Sequence, residues 1–324
     1  MAVQLRRVVA TDEIGVVGAL AALVTVIGAF HPDFLAPAQL LDVIEQAAFV
    51  GILACGMTYL LAMRELDLSV GSTYALSIVI AALLIRGGLN PWLGAAAGIA
   101  IGAGLGLVNG ALCNLIKIPS IIATLGTLSV FRGPGLALSD GRNVAGLPRD
   151  SSYFRIVGGD ALGLPVAVWV LLAVGLGLTV TLRSTRFGNR VRSIGSNPDA
   201  ARFSGLSIPR TRVQVLVLSG GLAGLSGMLT LAFFASGDPT IGQGYELQAI
   251  AAAVIGGTPL RGGSGTVWGS VLGAVILGTV ASGLVYFGVP INWSLFATGV
   301  VILLAVALDS LLRRRRAADS DLPL

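Results

Sequence analysis

Long apolar runs alternate with short polar breaks along this chain, and the runs have the length of helices that cross a bilayer. A helix rises about 1.5 Å per residue, so roughly 20 apolar residues cover about 30 Å of hydrocarbon. Ten segments meet or approach that requirement: residues 14–30, 43–63, 69–86, 91–115, 119–138, 165–182, 213–235, 247–257, 265–287 and 292–311. The pattern predicts an all-α integral membrane protein of about ten transmembrane helices. Residues 1–13 form a short N-terminal segment, 14–311 a single membrane domain and 312–324 a polar tail. The eighth segment is too short for a straight crossing. It is expected to be tilted, broken or re-entrant, which is tolerated where protein or a water-filled cavity shields the backbone.

The basic residues orient the array. With the N-terminus inside and ten crossings, Arg6, Arg7, Arg64, Lys117, Arg261, the seven arginines between 183 and 212, and Arg313 to Arg316 all face the cytoplasm, which is 16 of 21. Arg86, Arg132, Arg142, Arg149 and Arg155 fall outside or in the outer half of a helix, and Asp140, Asp150 and Asp160 accompany them. The positive-inside rule therefore favours both termini in the cytoplasm. Omitting the short eighth segment would turn the Arg313 to Arg316 run outward, against the same rule. Asp12 and Glu13 at the start of the first segment, with no small-residue cleavage pattern after it, argue for a retained helix and not a secretory signal.

Glycines recur where helices pack. Gly94, Gly98, Gly102, Gly106 and Gly110 follow every fourth residue, and Gly265, Gly269 and Gly273 repeat the device. Such stripes let a second backbone approach closely. Five helices per half would make any duplication inverted. No convincing sequence repeat stands out, although Asp67 to Ser72 and Arg261 to Thr266 are both polar, glycine-containing connectors between helices.

Composition narrows the chemistry. The 324 residues are 55% hydrophobic and 11% charged, and the net charge of +5 follows from the inward loops without any nucleic acid. Cys55 and Cys113 lie in apolar runs as packing residues, and His31 is the only histidine, so a histidine-based metal site or triad has no second imidazole. The only lysine, Lys117, follows no glycine-rich run, so no Walker-type loop is present to hold nucleotide phosphates. An intramembrane enzyme finds no set of nucleophile and base here.

The arginine-rich loop at 183–212 is too polar to insert. Asn197 and Pro198, followed by Asp199, Ala200, Ala201 and Arg202, form the start of a capped short helix ending near Gly205. This loop, with Gly195, Asn197, Ala200, Ala201 and Gly205, resembles the G-x-N-x-x-A-A-x-x-x-G loop of ribose/xylose/arabinose-type permeases of bacterial ABC importers. Asp67-Leu68-Ser69-Val70-Gly71, Ala123-Thr124-Leu125-Gly126-Thr127 with Arg132-Gly133, Asp140-Gly141-Arg142, and Gly242-Gln243-Gly244-Tyr245-Glu246-Leu247 with the glycines after it are similar to further family segments, in the same order over residues 44–312. Two departures stand out: Arg64 and Glu65 occupy places usually held by glycine, and Ser120 replaces the aromatic residue that commonly follows Pro119.

The resemblance implies a permease subunit in the bacterial inner membrane that binds no cofactor itself. ATP and Mg would sit on a partner ABC ATPase, an extracytoplasmic sugar-binding protein would deliver a monosaccharide, and a second permease copy would complete the pathway within the lipid. It also implies coupling to the ATPase through Gly195, Asn197, Ala200, Ala201 and Gly205, with Asn197 capping the short helix and Ala200, Ala201 and Gly205 offering a small-residue surface for a groove on the ATPase. Asp67, Ser69, Thr124, Arg132 and Glu246 are the candidates for pathway or gating. Each has a plainer alternative: a local ion pair or helix cap for Asp67, snorkelling for Arg132, and an electrostatic role at a helix start for Glu246. Furanones of the autoinducer type, nucleosides and branched-chain amino acids are alternative cargoes. A stand-alone secondary transporter is the alternative class, disfavoured because Glu45, Glu65, Asp67 and Asp309 fall near predicted helix ends.

Overall fold

The computed structural model describes residues 2–290 and scattered positions to 303, with side chains described from Gly15 onward. Apart from those positions, the tenth apolar segment, Asp309, Arg313 to Arg316 and the tail lie outside the described residues. In chain order the helices are α1 (Ala2–Phe30), α2 (Pro37–Ala62), α3 (Val70–Arg86), α4 (Pro91–Leu115), α5 (Ser120–Leu138) and the short α6 (Ser152–Val157). A two-stranded ribbon, β1 (Asp160–Ala161) and β2 (Leu164–Pro165), leads into α7 (Val166–Ser184), α8 (Arg186–Ser196), α9 (Pro198–Phe203), α10 (Ile208–Phe234), α11 (Tyr245–Ile255) and α12 (Val267–Tyr286). Among the described residues α2, α4, α5, α7, α10 and α12 are long and apolar enough to cross a membrane. The helices thus follow the apolar segments, and the protein is a multi-pass membrane protein.

Two helices form the axis of the bundle. α2 and α10 are buried over most of their apolar lengths, whereas α4, α5 and α7 leave most of theirs at the surface. Bonds from α2 tie the others inward: Tyr59 donates to the Leu178 carbonyl of α7 at 2.6 Å, and Thr58 pairs with Ser270 of α12 at 2.6 Å. Ser226 of α10 donates to the Phe49 carbonyl at 2.8 Å. Because lipid tails are as apolar as the side chains they surround, such bonds and close packing replace the hydrophobic drive of soluble proteins.

The glycine stripe of α4 meets α10. A Cβ on Gly102 would strike the Gly220 carbonyl, one on Gly106 the Leu216 carbonyl, and one on Gly110 would come within 3.0 Å of the Val213 Cα. α11 and α12 use the same contact, Gly256 lying on Gly269 and Gly273 on Ala252.

One end of the bundle carries α8, α9 and their arginines. There the chain leaving α2 folds back: Gly263 donates to the Ala62 carbonyl at 2.8 Å, and Gly195 lies so close to that carbonyl that no Cβ would fit. Thus the connector Arg261 to Thr266 belongs to this end surface. It is not the counterpart of Asp67 to Ser72, because the latter residues lie inside the bundle.

Candidate functional site

After α2 ends, residues 65–69 climb back between helices. The Leu66 amide donates to Ser120 Oγ at 3.2 Å and the Leu68 amide to Thr124 Oγ1 at 3.0 Å, so the connector rises along the first turn of α5. Backbone donors at that depth must find partners, and α5 provides hydroxyls in place of a strand ladder. Ser120, the departure after Pro119, therefore supports the connector.

Asp67 sits at the top of this climb and is 1% exposed. Its Oδ1 accepts from the Ser69 amide at 3.0 Å and the Ser69 hydroxyl at 2.7 Å, and its Oδ2 from Ser219 of α10 at 3.2 Å. Asn109 of α4 donates to Ser69 Oγ at 2.8 Å and accepts from Thr127 of α5 at 2.7 Å. One chain of polar groups therefore joins the start of α3 to α10, α4 and α5. Ser219 lies about 16 Å along α10 from its first residue, so the network occupies the interior and not an end surface. Asp67 does fall near a helix end, between α2 and α3, but it is turned inward. The local ion pair is corrected: Glu65 pairs with Arg212 of α10 at 2.6 Å, and Arg64 donates to the Ser196 carbonyl at 2.8 Å. A buried carboxylate is sustainable when hydrogen bonds satisfy it, and here neutral donors do so.

A second re-entrant segment descends from the other end. Gly237 pairs with Val144 through both amides, and a Cβ on it would touch Ala82 of α3; five residues on, Gly242 lies against Tyr74 and Gly71. The segment thus passes along α3 from Ala82 and Ile78 to Tyr74 and Gly71, turning over residues 239–244. α11, of 11 residues, starts where it stops, so the short eighth segment is a half-length helix entered from within. Arg132 of α5 donates to the carbonyls of Pro239 at 3.1 Å and Ile241 at 2.9 Å, which fixes the segment and accounts for this half-buried arginine without lipid headgroups. Glu246 begins α11 beside α3, its Oε2 lying 2.6 Å from where a Gly71 Cβ would be.

The five gating candidates therefore meet at two linked places: Asp67 and Ser69 on the inner connector with Thr124 of α5 beside it, and the segment facing it, held by Arg132 of α5 and followed by Glu246 at the start of α11. Asn109, Thr127 and Ser219 complete the arrangement. Single polar residues on apolar helices gave no signal by spacing alone, although each is an intramembrane polar group that needs a partner. Two cavities flank the connectors. One of about 670 Å³ opens at the arginine-rich end beside Arg64, Glu65, Lys117 and Ser120. The other, of about 640 Å³, lies between α2, α11 and α12, with Gln39, Gln46, Tyr245 and Gln248 on its wall.

The coupling candidates occupy α8 and α9. Asn197 Oδ1 accepts from the Ala200 amide at 3.0 Å as the N-cap of α9, and Gly205 ends the turn with φ +79°. Ala200 is exposed, but Ala201 is 4% exposed and packs into the core, so the small-residue surface expected of it is corrected. The prominent side chain there is Phe203, 92% exposed, which the alanine pattern concealed. Gly195 is buried against α2 and anchors α8 instead of presenting a surface.

Residues 39–306 match the family model described as the branched-chain amino acid transport system / permease component. The chain is 39% identical over 287 residues to the ribose import permease protein RbsC of Bacillus subtilis, covering 89% of each chain. It is 33% identical to the D-allose transport system permease protein AlsC of Escherichia coli over 94% of this chain and 93% of that one. To the L-arabinose ABC transporter permease protein AraH of Azospirillum brasilense it is 35% identical, over 89% and 84%. A multi-pass α-helical bundle, with polar connectors meeting inside it and a sequence matched over most of its length, makes this chain a member of that permease family and a transport subunit, not an enzyme.

Proposed function

We propose that this subunit forms the pathway of an ATP-driven importer for a monosaccharide, in the bacterial inner membrane. The similarity to permeases named for ribose, allose and arabinose over about nine tenths of the chain carries the choice of cargo. Buried hydroxyls, amides and carboxylates inside the bundle suit a polyhydroxylated solute better than the apolar side chain of a branched-chain amino acid, the cargo named in the family's description. The fold in the bilayer has ten transmembrane helices with both ends cytoplasmic, residues 14–311 forming the membrane domain and 312–324 the tail. The arginine-rich end faces inward, as the positive-inside rule requires. ATP and Mg bind to a partner ATPase, a sugar-binding protein delivers solute from outside, and a second copy completes the pathway.

Coupling runs through α9 into the membrane. Phe203 and Ala200 present the contact for the ATPase, while Asn197, Ala201 and Gly205 hold α9 in shape. Movement passes by two supports: Gly195 on the Ala62 carbonyl, and the Arg64 bond to Ser196. Both end three to five residues before Asp67, so displacement of α8 pulls on the connector whose polar network gates the pathway. Arg64 adds its bond to α8, and Glu65 ties the same stretch to Arg212 of α10. Asp67, Ser69 and Thr124 hold the inner gate, and Arg132 and Glu246 the outer part of the pathway.

Reconstitution tests this. Vesicles containing the permease, its ATPase and the binding protein accumulate labelled ribose, allose or arabinose only with ATP on the α9 side. Accumulation of a branched-chain amino acid instead would assign the cargo named by the family description, and uptake without the ATPase would refute the importer.

A further inference from the structure

The two connectors share a sequence. Asp67-Leu68-Ser69-Val70-Gly71 leads into α3, and Asp238-Pro239-Thr240-Ile241-Gly242 leads toward α11; both fit D-x-[S/T]-[V/I]-G. They also share a bond pattern. Asp238 Oδ1 accepts from the Thr240 amide and hydroxyl, each at 2.7 Å, as Asp67 Oδ1 does from the amide and hydroxyl of Ser69. Each follows one of the two axial helices, and those run in opposite directions: α2 ends at the arginine-rich end and α10 starts there. The glycines that close the motifs touch, since a Cβ on Gly71 would strike the Gly242 carbonyl, and Gly242 has φ +78° with the Gly71 carbonyl oxygen 2.9 Å from where its Cβ would be. An inverted repeat predicts this arrangement: two equivalent turns, entered from opposite ends, back to back in the middle.

We infer that the two turns are paired gates of one pathway, and that Asp238, Thr240 and Gly242 are the outer counterparts of Asp67, Ser69 and Gly71. The inference rests on the transport function proposed above and adds residues and a mechanism to it. The turns differ in state. Asp67 is buried and bonded to α10, and through Ser69 and Asn109 to α4 and α5, so the inner turn is latched. Asp238 itself hydrogen-bonds only within its own turn among the described residues, and Thr240 and Gln243 are exposed, so the outer turn is held to α5 through the Arg132 bonds to its Pro239 and Ile241 carbonyls and not through its aspartate. Each cavity adjoins one gate: the cavity at the arginine-rich end borders Leu66, and the other borders Tyr245 beside Gly244. Because Gly71 and Gly242 leave no space between the turns, one turn moves only as the other yields. A few hydrogen bonds hold the latch, which is the scale on which two conformers exchange population.

Thiol labelling tests the pairing without any ATPase, so its outcome is separate from that of ATP-driven uptake. Gln243→Cys is placed in a Cys55→Ala, Cys113→Ala background, and right-side-out vesicles are treated with a membrane-impermeant maleimide. Weakening the inner latch by Asp67→Ala shifts the population toward an open inner turn. The expected result is a fall of about fivefold in Gln243→Cys labelling, with a rise in Leu68→Cys labelling in inverted vesicles. Ser219→Ala, which removes one latch bond and keeps the carboxylate, changes both in the same directions by a smaller factor and serves where Asp67→Ala does not insert. Gln243→Cys labelling that stays constant or rises while Leu68→Cys labelling rises would overturn the inference, because the turns would then open independently.

Discussion

Asp67 is satisfied by three donated hydrogen bonds, from one amide and two hydroxyls, and it has no cation in its network. Hydrogen bonds to a charged acceptor contribute about 1.5–3 kcal/mol each, and an amide at this position would remove the charge that strengthens them and make Ser219 accept where it now donates. Asp67→Asn is therefore expected to reduce ATP-driven uptake at least about tenfold at equal amounts in the membrane. Unchanged uptake in quantified vesicles would contradict the gating role. Asp67 and Ser69 were recognisable because they sit in a motif, and Arg132 and Glu246 because charge inside an apolar array demands a reason. Asn109, Thr127 and Ser219 were not recognisable. Their partners lie on other helices, and a single amide or hydroxyl in an apolar run is ordinary until the packing is known. The same limit misplaced the partners of Arg64 and Glu65, which read as neighbours of Asp67 but reach instead to α8 and α10.

At the level of the element, α9 is short, capped by Asn197 and held by Ala201 beneath it, while Phe203 projects from it. Phe203→Ala is expected to lower stimulation of the partner ATPase severalfold and leave membrane insertion intact, as measured by ATP hydrolysis in the reconstituted complex. Ala201→Trp should instead displace α9 from its support, since overpacking a filled site costs about 1–3 kcal/mol, and the loss of stimulation then comes with increased proteolysis of the loop. Normal stimulation by Ala201→Trp would contradict the buried position. The α4 stripe gives a third expectation. Gly106→Leu forces α4 off α10 at the Leu216 carbonyl and should lower the midpoint of thermal unfolding in detergent by several degrees, whereas Gly104→Leu, which meets open space, should not. The period of four made the stripe visible in the sequence. Its partner was hidden because α10 has small residues at Gly220 and Gly224 without a stripe as long.

For the whole molecule, counting apolar length located the helices well, because crossing hydrocarbon fixes a length that composition then marks. It also exposed the short α11, whose deficit could be explained only by a broken or re-entrant path. Length could not show that α3 begins inside the bundle. A connector that climbs and one that lies on the surface have the same composition, and only the bonds from Leu66 and Leu68 to α5 separate them. The inverted relation was sought in Arg261 to Thr266, which resembles Asp67 to Ser72 in polarity, and not in Asp238 to Gly242, which shares its spacing of Asp, hydroxyl and glycine and its bonds from the aspartate to an amide and a hydroxyl two residues on.

All of this depends on force applied to the arginine-rich end being transmitted to the connectors inside the bundle. The direct measurement is solute accumulation in proteoliposomes that hold the permease, its ATPase and the binding protein, with ATP supplied on one side only. The account predicts accumulation when ATP is on the side of α8 and α9, and its loss on Phe203→Ala. Accumulation by the permease alone, or with ATP confined to the opposite side, would contradict it.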